Sequence, residues 1–349
     1  MSFAAVNNAK VSGNVSTSAN PQRSLVAVVV SYNRLDMLKV TLARLLAAET
    51  AYLQAVVVVN NASTDGTSEW LAGQSDERLD VVESPTNIGG AGGFRLGMEH
   101  ASQHYDPDWM VVMDDDARPA PDALARFHDL PCENWDAIAA AVYFPDGRIC
   151  EMNRPSRNPF WHPRLFLKTM RRGRDGFHIP HAEYTGEGCA IDVTSFVGFF
   201  ISRRAIEMVG FPDARLFLYG DDGLYTLGLS RLGGRLHFAP QVAFEHDFTT
   251  FSGSGAAAGK RFSPLWKVYY HHRNLLLLYR LSAGWLFWPC LLVVLPKWLS
   301  KTRYHSGERR AFLRLMSHAI VDGLLRRLSK THPQVMRLAE GRKGVSGSK

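Results

Sequence analysis

The sequence predicts an α/β fold with a mostly parallel sheet and helices on both faces, followed by a helical C-terminal appendage. β-Rich apolar runs alternate with segments of helical periodicity in the first part of the chain. Acidic residues follow one apolar run at the point where a strand would end. From residue 263 onward the pattern is helical and basic. We therefore divide the chain into a flexible segment (1–23), an α/β domain (24–262) and a helical region (263–349).

The first elements alternate between strand and helix. Leu25–Ser31 is a continuous β-rich apolar run, and the leucines of the next segment recur at helical spacing. Residues 55–59 repeat the strand pattern, residues 60–67 form a turn cluster suited to capping a helix, and residues 80–83 are a short third strand. Consecutive units of this kind favour parallel strands with helices on both faces.

The later elements continue this alternation around a long segment without clear periodicity. In chain order they are a strand at 109–113, a helix at 121–130, a strand at Ala137–Tyr143, a strand at 196–202, helices at Arg203–Val209 and 224–232, and a strand at 236–238. Residues 150–188 are rich in Arg, His, Pro and aromatic side chains, so we expect loops and lids there.

The composition favours a cytosolic protein that meets a membrane surface. Four scattered cysteines without a Cys-x-x-Cys pair fit a reducing compartment, and they exclude a disulfide framework or a zinc site. The formal charge of +7 is concentrated near the C-terminus, where residues 297–349 carry 13 Lys and Arg against 3 Asp and Glu. No nucleic-acid-binding motif accompanies these charges, and the residues before them are strongly apolar. We therefore expect an anionic membrane surface and no nucleic acid as the partner.

The C-terminal region contains two candidate membrane elements. Residues 285–299 are membrane-like in composition but shorter than the roughly 20 residues that a span needs, and two prolines interrupt them. After them, six apolar residues recur at helical spacing among basic neighbours: Phe312, Leu315, Met316, Ala319, Ile320 and Leu324. Such a stripe either packs on the α/β domain or lies on a membrane, and the basic flanks and tryptophans favour the membrane. With no signal peptide at the start, we expect a cytoplasmic protein associated peripherally with the inner face of the cell membrane.

Asp114, Asp115 and Asp116 form the most informative motif of the chain. Three adjacent carboxylates repel one another unless a cation lies between them, and hard oxygen ligands suit Mg²⁺ or Mn²⁺ carried in with a substrate diphosphate. The motif therefore indicates nucleotide-sugar chemistry. A solvated acidic turn is the alternative, but this run follows a predicted strand, where α/β sheets bind their ligands.

Three further segments complete a pattern at the predicted strand ends. They are Ser31-Tyr32-Asn33-Arg34, the turn at 60–66 and the glycine-rich segment at 87–95. Together with the acidic run they resemble glycosyltransferase family 2 over residues 26–247. The resemblance implies the GT-A fold, a Rossmann-like sheet of nucleotide-diphospho-sugar transferases. The glycine-rich segment lacks the register of a dinucleotide site, and a plain loop-to-helix turn is its alternative; otherwise its backbone N–H groups would approach the donor's ribose and diphosphate.

The glycine-rich segment and the triple Asp run are similar to the galactofuranosyltransferase branch of that family. This resemblance implies UDP-galactofuranose as the donor. Rhamnosyltransferases that use dTDP-rhamnose share much of the pattern, including the Tyr-Tyr-x-x-Arg-Asn segment at 269–274. Many relatives have an acid at position 60 or 61 to bind the base, whereas this chain has Asn60 and Asn61 and departs from the pattern there.

The resemblance also implies a set of site residues. Those that bind the nucleotide-sugar are Ser31, Tyr32, Arg34, Asn60, Asn61, Asp65, Asn87, Gly89, Gly90, Gly93, Arg95, Asp114 and Asp115. The ligands of Mn²⁺ or Mg²⁺ are Asp114, Asp116 and His246. The catalytic residues are Asp222, the base that takes the acceptor's proton, and Asp221, which helps to bind the acceptor. Taken alone, the acid pair could be a helix cap and the histidine could be structural.

These residues predict an inverting, metal-dependent transfer of galactofuranose to a lipid-linked glycan acceptor in cell-surface polysaccharide synthesis. Transfer of rhamnose from dTDP-rhamnose is the alternative. A sugar nucleotidyltransferase would have a Gly-rich basic signature after the first strand, which residues 31–34 lack. A catalytically silent nucleotide-binding scaffold at the membrane is disfavoured because Asp114, Asp116, Asp222 and His246 are all present.

Overall fold

A computed structural model of the protein describes residues 23–247 and 261–340. The strands are β1 (Leu25–Ser31), β2 (Ala55–Asn60), β3 (Leu79–Glu83), β4 (Trp109–Asp114), β5 (Ala117–Pro119), β6 (Ala137–Tyr143), β7 (Cys189–Ile191), β8 (Phe199–Ser202) and β9 (Leu236–His246). The helices are α1 (Leu35–Leu46), α2 (Thr67–Ala72), α3 (Gly89–Tyr105), α4 (Ala123–His128), α5 (Pro163–Arg172), α6 (Arg174–Phe177), α7 (Arg203–Val209), α8 (Asp221–Arg231), α9 (Lys267–Ala283), α10 (Phe287–Leu299), α11 (Arg309–Leu324) and α12 (His332–Glu340).

Nine strands form one mixed sheet in the described part of the chain. Along the sheet the order is β3, β2, β1, β4, β8, β6, β9 and β5, with β7 paired to β9 outside that order. The first four strands of this order are parallel, whereas β8 runs antiparallel to both β4 and β6. The prediction of a mostly parallel sheet is therefore correct for the N-terminal half, and the sheet is mixed beyond β4.

Helices cover both faces of the sheet. In β1, Ala27 and Val29 pack in the core that includes α1, and Val26 and Val28 pack in the opposite core, which includes α3. Side chains alternate between the faces of a strand, so a central strand with helices on both sides must be apolar at almost every position. All seven residues of β1 are buried, which explains why the sequence shows a continuous apolar run.

Several elements differ from their predicted extent. The strand predicted at 236–238 is β9, which runs on to His246, and the helix predicted at 121–130 is the shorter α4. Residues 163–172, expected to be loop, form α5, an amphipathic helix with no buried residue. β8 begins at Phe199, three residues late, because Gly198 takes a positive φ of 63° and interrupts the extended chain. α8 begins at Asp221, three residues early, behind a left-handed cap at Gly220. Both acids of the predicted catalytic pair therefore lie inside the first turn of α8.

The apolar stripe of α11 is buried inside the protein. Phe312, Leu315, Met316 and Ala319 are inaccessible to solvent and pack in one cluster with α9. Gly323 makes this approach possible, since a Cβ there would lie 2.8 Å from Leu276 of α9. These buried side chains do not face a membrane, contrary to the preferred interpretation. They pack mainly on α9 of the helical region, whereas the alternative had placed the stripe on the α/β domain.

An exposed apolar surface lies on α10 and the turn before it. Trp285, Trp288, Leu292 and Val293 are each more than half exposed. Pro296 is accommodated inside α10 and does not end it, contrary to the expected interruption. Together α9, α10 and their 3₁₀ turns give a helical run at Lys267–Tyr304 that is long and apolar enough to cross a membrane by length and composition. Gly284, with φ 56°, changes the chain direction within it.

Candidate active site

The predicted loops meet at one edge of the sheet. β1, β2 and β4 are parallel neighbours, with Ser31 opposite Asn60 and Val30 opposite Asp114. Parallel strands that pair in this way end at the same edge, where α/β sheets bind ligands. The structure thus brings together the segments at 31–34, 60–66 and 114–116, which are far apart in the sequence.

Asp115 joins the first loop to the acidic run. Ser31 Oγ donates a hydrogen bond of 2.9 Å to Asp115 Oδ2, and the Tyr32 N–H donates to the same oxygen at 3.4 Å. Arg34 Nη1 donates to Asp115 Oδ1 at 3.3 Å and to Asp116 Oδ2 at 2.6 Å. Burial raises the pKa of Asp115 to about 6 although Arg34 opposes the shift. Arg34 is therefore the side chain that balances much of the charge of the acidic run.

Asp116 and His246 form a buried ion pair. His246 is the last residue of β9, and pairing of β9 with β5 places it opposite Ala117, next to the acidic run. His246 Nε2 lies 3.2 Å from Asp116 Oδ1 without the alignment of a hydrogen bond. Burial lowers the pKa of His246, but its interactions with Asp116 outweigh burial and raise the pKa to about 10. For Asp114, burial and the charge of Asp116 raise the pKa to about 7.

These side chains fit a divalent cation in type and orientation. Asp116 Oδ1 is buried and accepts no hydrogen bond from the described residues, which leaves it able to coordinate. His246 Nδ1 bonds to Asn153 Oδ1 at 2.8 Å, and this bond aims Nε2 at Asp116 as a supporting residue aims a metal-binding histidine. Within 23–247 and 261–340, however, no group of three or more His, Cys, Asp or Glu side chains is already arranged to hold an ion. Asp116 and His246 are thus two candidate metal ligands that already lie together, and Asp114 is close to them.

The turn at 60–66 is held by the side chain of Asn60. Asn60 Nδ2 donates to both oxygens of Glu83, at 3.2 and 2.9 Å, and to Ser68 Oγ at 2.7 Å. Asp65 Oδ2 accepts from the Leu35 N–H at 2.9 Å and so fixes the turn to α1. Glu83 ends β3 and had no motif to mark it in the sequence, yet it places a carboxylate beside Asn60, where the resemblance led us to expect an acid.

Asn61 fastens the glycine-rich segment to this turn. Asn61 Oδ1 accepts from the Ile88 N–H at 2.9 Å, and Asn61 Nδ2 donates to Gly89 O at 3.2 Å. Asn87 Oδ1 accepts from the Gly89 N–H at 2.8 Å. Gly89 has φ 74°, and a Cβ there would lie 2.1 Å from Phe217 O, so the segment also touches the loop before α8. The glycine-rich segment, which we predict to bind the nucleotide-sugar, is thus in contact with the loop that precedes the predicted base.

The glycines of α3 have different surroundings: Gly93 packs closely on the sheet, whereas a side chain would have room at Gly90. A Cβ at Gly93 would lie 2.4 Å from Val30 of β1, far inside van der Waals contact, so only glycine allows α3 to lie this close to the sheet. Packing on β1 is thus one reason for a glycine at this position, and the contact of Gly93 with the donor stays a prediction. At Gly90 the nearest atom to a Cβ is 4.0 Å away on Leu218, so packing does not require glycine there. Gly90 remains a predicted donor contact.

Asp221 and Asp222 lie in a buried environment at the start of α8. Burial raises the pKa of both carboxyl groups, that of Asp221 to about 8 with further contributions from Asp222 and Asp114. Asp221 therefore lies close enough to Asp114 for the two charges to interact. Asp221 is buried and Asp222 is half-buried, so Asp222 is the more accessible of the two. Asp222 Oδ1 accepts a hydrogen bond of 2.6 Å from the Gly223 N–H.

The loop that leads to this pair is held by α9. Asn274 Nδ2 donates to three of its carbonyls, those of Leu216 at 3.0 Å, Leu218 at 3.0 Å and Tyr219 at 2.8 Å. Arg273 Nη2 donates to two carbonyls of the same loop, and both side chains are fully buried. Sequence reasoning noted residues 269–274 only as a shared pattern. It missed their positioning role because hydrogen bonds to main-chain carbonyls leave no signal in the loop they hold.

Two basic side chains, Arg95 and Lys267, differ from what the sequence led us to expect. Arg95 forms an ion pair of 2.7 Å with Glu99 along α3, and its role in donor binding stays a prediction. Lys267, at the start of α9, was not singled out, but its charge interacts with that of Arg34. Burial first, and Arg34 second, lower the pKa of Lys267. Lys267 of the C-terminal region therefore lies close enough to Arg34 for the two charges to interact.

Comparison with known proteins agrees with this geometry. Residues 26–189 match the family model for Glycosyl transferase family 2. These residues, slightly less than half of the chain, form a glycosyl transferase family 2 domain. Among solved structures, the mannosyltransferase PcManGT from Pyrobaculum calidifontis, in complex with GDP-Man and Mn²⁺, has a TM-score of 0.50 and 20% sequence identity, covering 92% of this chain and 79% of that chain. The predicted family and the GT-A-like fold class are confirmed.

Two curated relatives carry the same name. Galactofuranosyltransferase GlfT1 of Mycolicibacterium smegmatis is 29% identical over 196 residues, which are 56% of this chain and 62% of that protein. Its namesake in Mycobacterium tuberculosis is 31% identical over 201 residues, which are 57% of this chain and 62% of that protein. The match therefore spans less than two thirds of the length of these relatives.

Proposed function

We propose that this protein is an inverting, metal-dependent glycosyltransferase that transfers galactofuranose from UDP-galactofuranose to a lipid-linked glycan acceptor in cell-surface polysaccharide synthesis. The observation that carries the proposal is the acidic run at 114–116 at the ligand-binding edge of the sheet, together with the pair at 221–222, whose Asp221 interacts with the charge of Asp114. Relatives named galactofuranosyltransferase support the identity of the sugar.

The donor binds along the edge formed by the three loops. Asn60, Asn61 and Asp65 order the turn that receives the nucleoside, and Glu83 adds a carboxylate there. The diphosphate lies at the acidic run, where Arg34 and Lys267 offset part of its charge. Cations next to a leaving diphosphate stabilise the charge that grows on it as the glycosidic bond breaks.

Asp116 and His246 are the residues that would hold Mn²⁺ or Mg²⁺, with Asp114 beside them. Carboxylate oxygen and imidazole nitrogen are acceptable ligands for Mn²⁺. When bound, the ion supplies electrostatic stabilisation of the departing nucleoside diphosphate. His246 must lose its Nε2 proton to coordinate, and its hydrogen bond to Asn153 keeps the other ring nitrogen protonated and the ring oriented.

Asp222 is the base. Its carboxylate takes the proton of the acceptor hydroxyl while that oxygen forms a bond to the anomeric carbon, and the bond from this carbon to UDP breaks with both electrons leaving on UDP. Attack on the face opposite UDP inverts the configuration in one step. Burial raises the pKa of Asp222 and so makes it a stronger base. Asp221, with a pKa of about 8, keeps its proton at neutral pH and can donate a hydrogen bond to the acceptor.

The C-terminal region brings the site to the membrane surface. We assign residues 24–262 as the catalytic domain and residues 263–349 as the region of peripheral contact with the inner face of the cell membrane. Exposed Trp285, Trp288, Leu292 and Val293 would enter the lipid, and the basic residues near α10 would meet anionic headgroups. The membrane contact is thereby assigned to α10 in place of α11.

The test is release of nucleoside diphosphate by the purified protein with UDP-galactofuranose, UDP-galactopyranose, dTDP-rhamnose or GDP-mannose, before and after metal chelation. The proposal expects turnover of UDP-galactofuranose that is lost with EDTA and restored by Mn²⁺. Turnover of dTDP-rhamnose alone would favour rhamnosyl transfer, a second candidate supported by the segment at 269–274. UDP binding without turnover of any donor on a range of acceptors would indicate a scaffold.

A further inference from the structure

A cationic cavity lies next to the loop that precedes the proposed base. The cavity has a volume of about 470 Å³, and its lining includes Tyr219 on one side and Lys297, Lys301 and Arg303 on the other. Tyr219 is two residues from Asp221, so their Cα atoms are at most about 7 Å apart. One lining residue of the cavity is therefore close to the catalytic pair, and no residue of the run at 114–116 lines it.

The charges around this cavity are unbalanced. Four lining residues are basic and none is acidic. Arg261 pairs with Glu308 at 2.6 Å, but Lys297, Lys301 and Arg303 have no ion pair with an acid among the described residues. Lys301 Nζ lies over the ring of Phe262, 5.5 Å from its centre. Lys301 is half-buried, and Lys297 and Arg303 are exposed at the rim. An anion among these like charges would relieve their mutual repulsion.

The polar groups of the lining suit phosphate oxygens. Ser300 and the hydroxyl of Tyr304 lie among the cations, and Arg303 Nη2 already donates to Tyr304 OH at 2.8 Å. Burial and the charge of Lys301 lower the pKa of His271 to about 4, so this ring is neutral and adds no further charge. Arginine and lysine bound to phosphate make charge-assisted hydrogen bonds, which are roughly twice as strong as neutral ones.

An apolar surface leads directly into the cavity. Lys297 lies near the end of α10, four residues after Val293 and five after Leu292, whose side chains are 71% and 78% exposed. At 1.5 Å per residue, this separation is about 6 to 8 Å along the helix. The molecule thus presents, in order, an exposed apolar helix, a cationic cavity and the catalytic acids.

We propose that this cavity binds the phosphate or diphosphate that joins the acceptor glycan to its lipid, with the lipid chain along α10 and the glycan directed toward Asp222. A lipid-linked glycan has the same order of parts: hydrocarbon, phosphate, sugar. The proposal rests on the proposed function for the identity of the acceptor. Its chemistry, a phosphate ester on a hydrocarbon chain, can be tested without any transfer reaction.

The experiment measures binding of farnesyl diphosphate to the full chain by calorimetry, after the donor site has been saturated with UDP and Mn²⁺. Inorganic diphosphate and farnesol are the comparison probes. The proposal expects farnesyl diphosphate to bind more tightly than either probe, because both the cations and the apolar surface contribute. Equal affinity for inorganic diphosphate would mean a site for free anions, and binding abolished by UDP would mean that the ligand occupies the donor site; either result overturns the proposal.

Matched variants locate the binding. The double variant Lys297→Gln, Lys301→Gln should weaken farnesyl diphosphate binding at least about tenfold. Arg309→Gln, Arg310→Gln removes the same charge from an exposed part of the same region, outside the cavity, and should leave the affinity unchanged. If packing of Lys301 on Phe262 is needed for folding, the single change Arg303→Gln at an exposed position should still weaken binding. Unchanged affinity in the folded cavity variants would refute the site, whereas absence of transfer with intact lipid binding would refute only the proposed function.

Discussion

The two acidic groups of the site are built in opposite ways. The run at 114–116 is balanced by cations, since Arg34 contacts two of its carboxylates and His246 contacts one of them. The pair at 221–222 has no ion pair with a cation in the described parts of the chain, and only main-chain N–H groups of α8 support it. The pKa of Asp116 falls below its usual value, because His246 and Arg34 outweigh burial, while that of Asp221 rises to about 8.

This contrast separates two tasks that carboxylates perform in one site. A carboxylate kept ionised among cations is suited to hold a metal ion and to orient a diphosphate. A carboxyl group whose charged form is disfavoured is suited to exchange a proton near neutral pH. In the proposed function, the same residue type therefore serves as a metal ligand in the run at 114–116 and as the base in the pair at 221–222.

Asp222→Asn should have the largest effect on turnover. An amide cannot take the proton of the acceptor, so transfer should fall by about 10² to 10⁴-fold. UDP and Mn²⁺ should still bind with wild-type affinity, because the cation-balanced group is intact. Steady-state transfer and calorimetry with UDP measure the two properties, with Glu207→Gln on an exposed face of α7 as the control. Full activity in Asp222→Asn would remove this residue from the base role.

Asp116→Asn should weaken metal binding at the run at 114–116 and leave the proposed base intact. Replacing a charged ligand by an amide should weaken Mn²⁺ binding by about 10 to 100-fold. Transfer should be partly recovered at high Mn²⁺, which distinguishes this variant from Asp222→Asn. The measurement is activity against Mn²⁺ concentration, with Asp122→Asn in an exposed i,i+4 pair as the control. A Mn²⁺ dependence equal to that of the wild type would contradict the assignment.

Asn274→Ala tests whether the loop before the base needs its support from α9. Three carbonyls would lose their donor, at a cost of about 2 to 3 kcal/mol in the free energy of unfolding. A displaced base should also lower kcat by about 10 to 100-fold, with UDP affinity unchanged. Ser282→Ala removes a hydrogen bond to Asn158 from the same helix, away from the loop, and is the matched control. A loss of stability with normal kcat would assign Asn274 a structural role alone.

Asp221→Asn should change the pH dependence of stability. Asp221 keeps its proton in the folded state up to about pH 8, whereas the unfolded chain loses it near its ordinary value of 3.8. The unfolded state therefore binds fewer protons between these limits, and the wild-type free energy of unfolding falls as pH rises through them. The variant lacks this loss and should gain up to about 5 kcal/mol over the wild type at pH 8, and about 2 kcal/mol at pH 5. Urea unfolding at both pH values measures it; a gain independent of pH would show that Asp221 does not bear the shifted pKa.

The cation-balanced group was the easier one to predict. β1, β2 and β4 are apolar throughout because both faces are buried, and parallel strands of this kind bring their following loops to one edge. The position of the acidic run beside Ser31 and Asn60 followed from that rule. The antiparallel direction of β8 did not, because an apolar run identifies a strand without giving its direction.

The support of the other group could not be read from its own sequence. Asn274 and Arg273 act from a helix more than 40 residues later in the chain, through carbonyl groups that every residue possesses. Lys267 and Glu83 likewise carry no local signal of their position. Lys267 interacts with Arg34 from the start of α9, and Glu83 accepts a hydrogen bond from Asn60 at the end of β3. Local patterns identify which residues can perform chemistry, whereas tertiary packing decides which of them are brought together.

The packing of α9 also determines how the C-terminal region can be studied. α9 holds the catalytic loop on one side and is covered by α11 on the other, with Tyr269 OH donating to Asp322 at 2.8 Å. A shortened, more soluble fragment that ends within α9 would lose this cover and, with it, the geometry of the loop. Its inactivity would then be mistaken for a need for lipid. Polar replacements of Leu292 and Val293, whose side chains project outward from α10, are the changes that separate attachment from turnover.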